Sequence, residues 1–513
     1  MPEEQSKEKQ TTTPEPGNPP SGAAASGMTD AAEAKYLRMT TEPVEKLIAK
    51  LALPTIVSML ITSFYNLADT FFVRQLDSDS MVAAVGIVLP LMSIIQALGF
   101  FCGHGSGNYI SRALGRRDVR DAETMATAGF VYAALFGFAI ALFGLLFRTP
   151  LAHLLGAKTD ATVAATLDYM TFILIGAPWM TASLVLNNQL RMQGNAFFAM
   201  IGLCSGAAVN LLLDPLLIFR TGDPLLGFRM PFGFGMGVAG AALATIISQL
   251  VSFLLLFIGL QKSDNVKIRF GGTACFRPFY FRGIVQGGLP SLARQGLASV
   301  ATSCLNHAVG IYLVGDAAID AAQAALTGVS KIMQFLSSAL IGFGQGFQPV
   351  CGFNFGAGKY DRVRRAYYFC LRVSFAVLCV LSVVGYFFAG PLTHTVVGSS
   401  EESARIAAAA FRLQLLTIPL MSWVILCNMM LQNIGLTVRA TVVAMARQGL
   451  TFVPAVLLLP LIFRSLGGEA LTGILLAQPV ADLLSLIISL PIGLGVLHRM
   501  KTAGASLPAS RAK

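Results

Sequence analysis

The second half of this chain repeats the first. At a fixed offset of 241, Ala83, Ala84, Val88, Met92, Gly103 and Gly105 recur as Ala324, Ala325, Val329, Met333, Gly344 and Gly346. Further on, Pro178, Met180, Asn187 and Gly194 recur as Pro419, Met421, Asn428 and Gly435. The matches lie inside long apolar segments, so the repeating unit is a bundle of membrane helices. Duplicated helix bundles are a recurring architecture of secondary transporters, with the substrate path at the repeat interface.

Composition agrees. Hydrophobic residues make up 55% of the chain and charged residues only 12%, and mean hydropathy is +0.67. A soluble domain would carry about a quarter charged residues. A spanning helix needs about 20 apolar residues. Twelve segments qualify: 47–73, 81–110, 124–147, 162–188, 197–219, 236–260, 283–314, 321–350, 366–389, 403–430, 440–463 and 471–497. The expected fold class is therefore an all-α integral membrane protein with twelve transmembrane helices in two six-helix lobes. Six is even, so both lobes enter the bilayer in the same orientation and the repeat is parallel.

The net charge of +11 reads as topology, not as a nucleic-acid site. Arg116, Arg117, Arg120, Arg191, Lys262, Lys267, Arg269, Arg277, Arg282, Lys359, Arg362, Arg364, Arg365, Arg439, Arg499 and Lys501 fall in one alternate set of connections. The other set holds few positives. The positive-inside rule puts the rich set, and both termini, in the cytoplasm. The expected organisation is a disordered cytoplasmic tail at 1–42, an N-lobe at 43–260, a cytoplasmic linker at 261–282, a C-lobe at 283–498 and a cytoplasmic tail at 499–513. The first 42 residues are polar and show no cleavable leader. The basic, aromatic run 264–282 suits a segment lying on the membrane surface as well as an ordinary anchored loop. Seven of eight cysteines lie in spans and no CxxC occurs, so neither a disulfide nor a zinc site is expected. Gly103, Gly105 and Gly107, with Gly342, Gly344 and Gly346, follow no strand and lack the phosphate-loop form; close helix packing explains them better.

Charges inside a span are functional-site candidates by default. The first half has Asp69 beside Tyr65 and Asn66, Asp168 near the outer end of its span, and Asp214 four residues after Asn210. Spacing i,i+4 places Asn210 and Asp214 on one helix face. Pro215 removes a backbone donor and disturbs the bond to the Leu211 carbonyl. Carboxylates in low dielectric either take up protons or bind a hard cation through oxygen. The second half differs: its deep charges are Arg294, Lys331, Arg412 and Arg447 against one acid, Asp482. Arg294-Gln295-Gly296-Leu297 and Arg447-Gln448-Gly449-Leu450 repeat one tetrapeptide. These charges suit either an internal Arg–Asp network or a cationic patch on the cavity wall.

In this order the motifs are specific. Leu53-Pro54 precedes Tyr65-Asn66-Leu67-Ala68-Asp69, and GSGNYISRALG runs from Gly105 to Gly115. Leu190-Arg191 precedes Gly194-Asn195, Asn210 precedes Asp214-Pro215, and Gly237 to Thr245 reads GVAGAALAT. Gln348-Pro349 with Phe353-Asn354 and Gly356-Ala357, and Gln478-Pro479 with Asp482, follow in the second half. The chain resembles the multidrug and toxic compound extrusion (MATE) transporters over nearly all of 43–497, in particular their MepA-like and DinF-like bacterial branch. The resemblance implies a V-shaped pair of lobes in a bacterial cytoplasmic membrane, alternating access, and Na⁺- or H⁺-coupled export of small organic molecules. It implies a cation site at Asp69, Asn210, Asp214 and Thr245. It implies no cofactor beyond that cation. The acidic second lobe of NorM-like relatives is absent here, and so many arginines extend the expected cargo to anionic or zwitterionic molecules.

Tyr65, Asn66, Arg294, Gln295, Lys331, Arg412, Arg447 and Asp482 are the candidate cavity residues. The alternatives are a flippase for a lipid-linked precursor and a membrane receptor or scaffold that no longer transports. An enzyme is disfavoured, since no nucleophile–base pair, nucleotide motif or metal cluster appears. Each half supplies the partner the other needs, so a monomer is expected.

Overall fold

The computed structural model describes residues 29–75, 79–225, 228–263, 265–313, 315–397 and 400–502; at 66–71, 73, 74, 79, 224, 225 and 228 it describes the backbone alone. Lipid offers no partner for open backbone groups, so the spanning structure is helical. The first half contains α1 (Asp30–Thr41), α2 (Val44–Arg74), α3 (Asp79–Gly115), α4 (Val119–Leu146), the short α5 (Arg148–Leu155), α6 (Asp160–Met192), α7 (Ala196–Ile218) and α8 (Gly237–Gln261). A hairpin of β1 (Pro224–Leu225) and β2 (Phe228–Arg229) joins α7 to α8, pairing Pro224 with Arg229. The second half contains α9 (Pro278–Tyr312), α10 (Asp316–Gly356), α11 (Tyr360–Phe387) and the short α12 (Ala389–Val397). There follow α13 (Glu401–Thr417) running through a 3₁₀ turn into α14 (Met421–Asn433), α15 (Thr437–Met445) running through a π turn (Ala446–Leu450) into α16 (Phe452–Ser465), and α17 (Ala470–Thr502).

The repeat extends to the helix ends. α4 spans 119–146 and α11 spans 360–387; α6 spans 160–192 and α13–α14 span 401–433, each pair displaced by 241. End chemistry repeats with them. Thr159 Oγ1 accepts from Thr162 N at 3.3 Å and Ser400 Oγ from Ser403 N at 3.1 Å, each satisfying an orphan N–H of the first turn. Asn187 Nδ2 donates to Ala199 O at 3.0 Å, and Asn428 Nδ2 to Ala440 O at 2.7 Å. Among the described residues eleven helices are long and apolar enough to cross a bilayer, counting α13–α14 and α15–α16 once each. The twelfth, α9, has 35 residues, or about 50 Å at 1.5 Å per residue. Arg282, Gln286, Arg294 and Gln295 dilute its hydropathy without shortening it.

The first helix of each repeat packs on the second helix of the other. A methyl added at Gly105 of α3 would lie 2.4 Å from the Ile284 carbonyl of α9. One added at Gly346 of α10 would lie 2.5 Å from Ala52 Cα of α2. The Gly-rich runs therefore serve backbone approach between the halves. Gly115 and Gly356, themselves equivalent, abut each other. These contacts lie toward the ends bearing the positively charged connections, where the two halves are closed together.

Two boundaries differ from the sequence reading. Residues 30–41, expected in the disordered tail, form α1, capped by Thr29 with Asp30 and Glu33 in its first turn. Its side chains find partners in the first half and the carbonyls at its C-terminal end in the second, which composition alone does not reveal. Arg117 pairs with Glu33 at 2.7 Å and lies over the Tyr36 ring at 4.4 Å. On the other side Asn354 Nδ2 donates to Met39 O (3.0 Å), Lys359 Nζ to Thr40 O (3.0 Å) and Arg362 Nη2 to Glu42 O (2.7 Å). In the linker, Arg269 is tied to the first half by Glu123 at 2.8 Å and Thr127 Oγ1 at 3.1 Å. Helix α9 starts at Pro278, earlier than the expected 283, because proline at the first helical position needs no hydrogen bond for its nitrogen.

Candidate functional site

Helices α7 and α8 run antiparallel in close contact, with Gly202 against Leu256, Gly206 against Ser252 and Gly240 against Leu217. That register sets Thr245 level with the turn between Asn210 and Asp214. All three are buried, at 1%, 0% and 3% exposure for Asn210, Asp214 and Thr245. The i,i+4 pair forms as the spacing implies: Asn210 Nδ2 donates to Asp214 Oδ1 at 3.2 Å. Thr245 Oγ1 donates to Ala241 O at 3.0 Å, leaving its lone pairs as acceptors. The seam thus gathers a carboxylate, an amide and a hydroxyl, the oxygen types a hard cation selects. The side chains of Asp69 and Asn66 lie outside the described residues. Beside the seam is a cavity of about 120 Å³, lined among others by Tyr65, Gln96, Phe100, Gly206, Asn210 and Ser252.

In the second half Asp482 is fully buried and its carboxylate is crowded with donors. Arg447 Nε meets Oδ1 at 2.9 Å, Gln478 Nε2 donates to Oδ1 at 2.8 Å and Thr417 Oγ1 to Oδ2 at 3.2 Å. Arg447 lies in the π turn, which Thr451 closes by donating N–H (3.0 Å) and Oγ1–H (2.7 Å) to Ala446 O, five residues back. Such turns concentrate at functional positions because they re-aim side chains within a helix.

The other candidates scatter. Arg412 is exposed, reaches back to Tyr386 O at 3.4 Å and lies over the Tyr386 ring at 5.6 Å, away from the Arg447–Asp482 pair. Hydropathy gave its depth but not its facing. Lys331 is half-buried on α10; Arg294 and Gln295 are half-buried on α9.

Sequence reasoning missed a polar layer where the halves close. Arg191, counted there among loop positives, is 2% exposed. Its Nη1 donates to Gln345 Oε1 at 2.7 Å across the interface, and its Nη2 to Asn188 Oδ1. Nearby, His104 Nδ1 lies 3.0 Å from Ser291 Oγ, which accepts from Gln432 Nε2 at 2.8 Å. The available signal was Asn188 three residues before Arg191, on the same helix face.

Comparisons with known proteins follow the same lines. The MatE family model matches twice, over 54–216 and 297–457, once in each repeat. "Multidrug export protein MepA" of Staphylococcus aureus (strain MRSA252) is 26% identical over 451 residues, covering 87% of this chain and 93% of its own. Its namesake from Staphylococcus haemolyticus (strain JCSC1435) is 25% identical over 468 residues, covering 90% and 96%. Among solved structures, "Outward-facing conformation of a multidrug resistance MATE family transporter of the MOP superfamily" shares the fold at TM-score 0.80, with 24% identity over 93% of this chain and 99% of that one. "Reverse polarity of binding pocket suggests different function of a MOP superfamily transporter from Pyrococcus furiosus Vc1 (DSM3638)" shares it at TM-score 0.79, with 24% identity over 92% and 99%. Matched by the family model in both repeats, this chain belongs to the MATE family of membrane transporters and is not an enzyme.

Proposed function

We propose that this protein exports small organic molecules across the plasma membrane in exchange for Na⁺ or H⁺, acting as a monomer by alternating access. The observation that carries the reading is the buried Asn210–Asp214 pair, level with Thr245, beside a cavity in the first half. The relatives named as multidrug export proteins supply the direction of transport. Uptake of Na⁺ or H⁺ from outside changes the charge of the α7–α8 seam and the fit of the helices around it. Coupling requires only that the two openings of the cleft bind the ion with different affinity; the ion then shifts their populations and, reciprocally, the cargo's affinity. Of the two closures, the structure holds the one at the positively charged ends, with Arg191–Gln345 and Gly115–Gly356 across it.

The test is transport in oriented proteoliposomes, energised in turn by a Na⁺ gradient and a pH gradient, with ethidium and an anionic dye as cargo. Movement under one gradient, lost in Asp214→Asn, is the expected result and names the ion. Cargo movement equal in wild type and Asp214→Asn would remove this seam from the mechanism.

A further inference from the structure

We infer that Arg294 and Arg447 form a binding site for an organic oxyanion, a carboxylate, sulfonate or phosphate group on the cargo, on the second-half wall of the cleft. This rests on the transport reading for its context but not for its chemistry.

The argument begins with charge. The wall presents two guanidinium groups and one carboxylate. Asp482 engages Arg447 only through Nε, at 2.9 Å. Both Nη groups of Arg447 are without a hydrogen bond or ion pair among the described residues, and a quarter of the side chain stays accessible. Arg294 has neither a hydrogen bond nor an ion pair among them, although it is half-buried on α9. A guanidinium carries five donors in a planar fork that matches oxyanions. Burying one without a partner is costly, so unmet donors in a cleft point to an absent acceptor.

The helices bring the two groups to one height. α9 and α15–α16 both begin at the positively charged end. Leu297 packs where Gly449 has no side chain; a methyl there would come 2.6 Å from Leu297 Cδ1. Arg294 is three residues before Leu297 and Arg447 two before Gly449, so their heights differ by about 1.5 Å, one residue of rise.

Facing follows from the contacts below. Ser291 meets His104 of α3 at 3.0 Å. Arg294, three residues on, continues that stripe of α9 toward the first half. His104 stacks on Phe100 at 5.5 Å, and Phe100 lines the first-half cavity with Gln96 and Tyr65. Arg294 therefore stands across the cleft from a wall whose described lining includes the aromatic Phe100 and Tyr65 with the neutral Gln96. The two walls together suit a molecule with an apolar or aromatic body and an anionic group. A lipophilic cation would face uncompensated positive charge. Asp482 acts as a positioning residue: it holds Nε and leaves the Nη fork turned outward.

The experiment is equilibrium binding to purified protein in detergent, without any gradient, by fluorescence polarisation. The probes are 5-carboxyfluorescein, a sulfonated dye, a phosphorylated dye and ethidium. Wild type should bind at least one anionic probe. Arg294→Gln, which strands no partner, should weaken that probe at least tenfold and leave ethidium unchanged or tighter. Arg294→Lys, keeping charge but losing the fork, should fall between. Arg447→Gln combined with Asp482→Asn removes both members of the pair, avoids an unpaired buried charge, and should also weaken the anion at least tenfold. Arg412→Gln, on the exposed face over Tyr386, should bind the anion as wild type does, and because no gradient is used a failure of ion coupling leaves this result intact. Equal anion binding by wild type and Arg294→Gln, or no binding of any anionic probe by wild type, would overturn the inference whatever the gradient experiment shows.

Discussion

One seam is built twice in this molecule and charged in opposite ways. At the 241-residue offset, Gly206 corresponds to Arg447, Asn210 to Thr451, Asp214 to Ala455 and Ala241 to Asp482. In the first half the acid sits on α7, where Asn210 meets it at 3.2 Å, and Gly206 leaves space that contributes to a cavity. In the second half the acid sits on the last helix and an arginine fills the place of that glycine, 2.9 Å from the carboxylate. The backbone is shared, so side chains alone decide that one seam sets its carboxylate against an amide beside a cavity while the other sets its carboxylate against an arginine. Duplication supplied two equivalent seams; substitution at a few positions gave them different charge.

Four substitutions would sharpen or break that comparison. The largest effect is expected from Asp482→Ala, which leaves Arg447 with no carboxylate. Breaking a buried pair costs about 3–5 kcal/mol, and the accessible quarter of Arg447 places this one near 3. Thermal melting in detergent should show the loss, and adding Arg447→Leu should recover most of it. A single variant as stable as wild type would mean that the pair does not neutralise the seam. Next is Gly206→Val, which imitates the filled second-half seam. Its Cβ would lie 2.9 Å from Ser252 Cβ and 3.1 Å from Ser248 O. Overpacking of this kind costs about 1–3 kcal/mol, and ion-driven transport should fall with it; normal transport would show that the space is not needed.

Gly115→Ala tests the closure between the halves. The new methyl would meet the Phe353 carbonyl at 2.3 Å, so the positively charged end should stay open longer, at a cost of about 1–2 kcal/mol to the closed state. Cysteine labelling of the cleft from that side should rise, and an unchanged pattern would argue against the Gly115–Gly356 contact as part of the gate. The smallest effect belongs to α1. Arg117 holds a left-handed backbone at φ 63°, where the repeat has Gly358 at 72°. Arg117→Ala loses the Glu33 pair and the Tyr36 face, about 0.5–1 kcal/mol at a partly exposed site. Arg117→Gly regains part through backbone freedom. The two melts should therefore rank glycine above alanine.

Much of this was legible in the sequence, and the exceptions have physical causes. The offset of 241 marked two equivalent bundles, and the structure extends it to helix ends, caps and the Asn187/Asn428 bonds, because equivalent residues meet equivalent neighbours. The i,i+4 spacing of Asn210 and Asp214 was equally direct. Hydropathy measures depth and is blind to rotation about the helix axis, which is why Arg412 looked like a cavity residue and lies instead over Tyr386 on an exposed face. It also discounts polar helices, and so ranks α9 below the other spans. Arg191 was masked by its position near a span end; only tertiary packing shows it buried against Gln345. α1 was hidden because its partners, from Arg117 to Arg362, are distant in sequence.

The most direct test of the divided seam is cation binding to purified protein, measured as ²²Na⁺ retention and as proton release on addition of Na⁺. Asp214→Asn should abolish binding, while Asp482→Asn with Arg447→Gln should keep it within about twofold of wild type, less than 0.5 kcal/mol. Binding that survives Asp214→Asn and disappears in the Arg447–Asp482 double variant would contradict the account, because it would place the exchangeable cation in the seam that already carries its own.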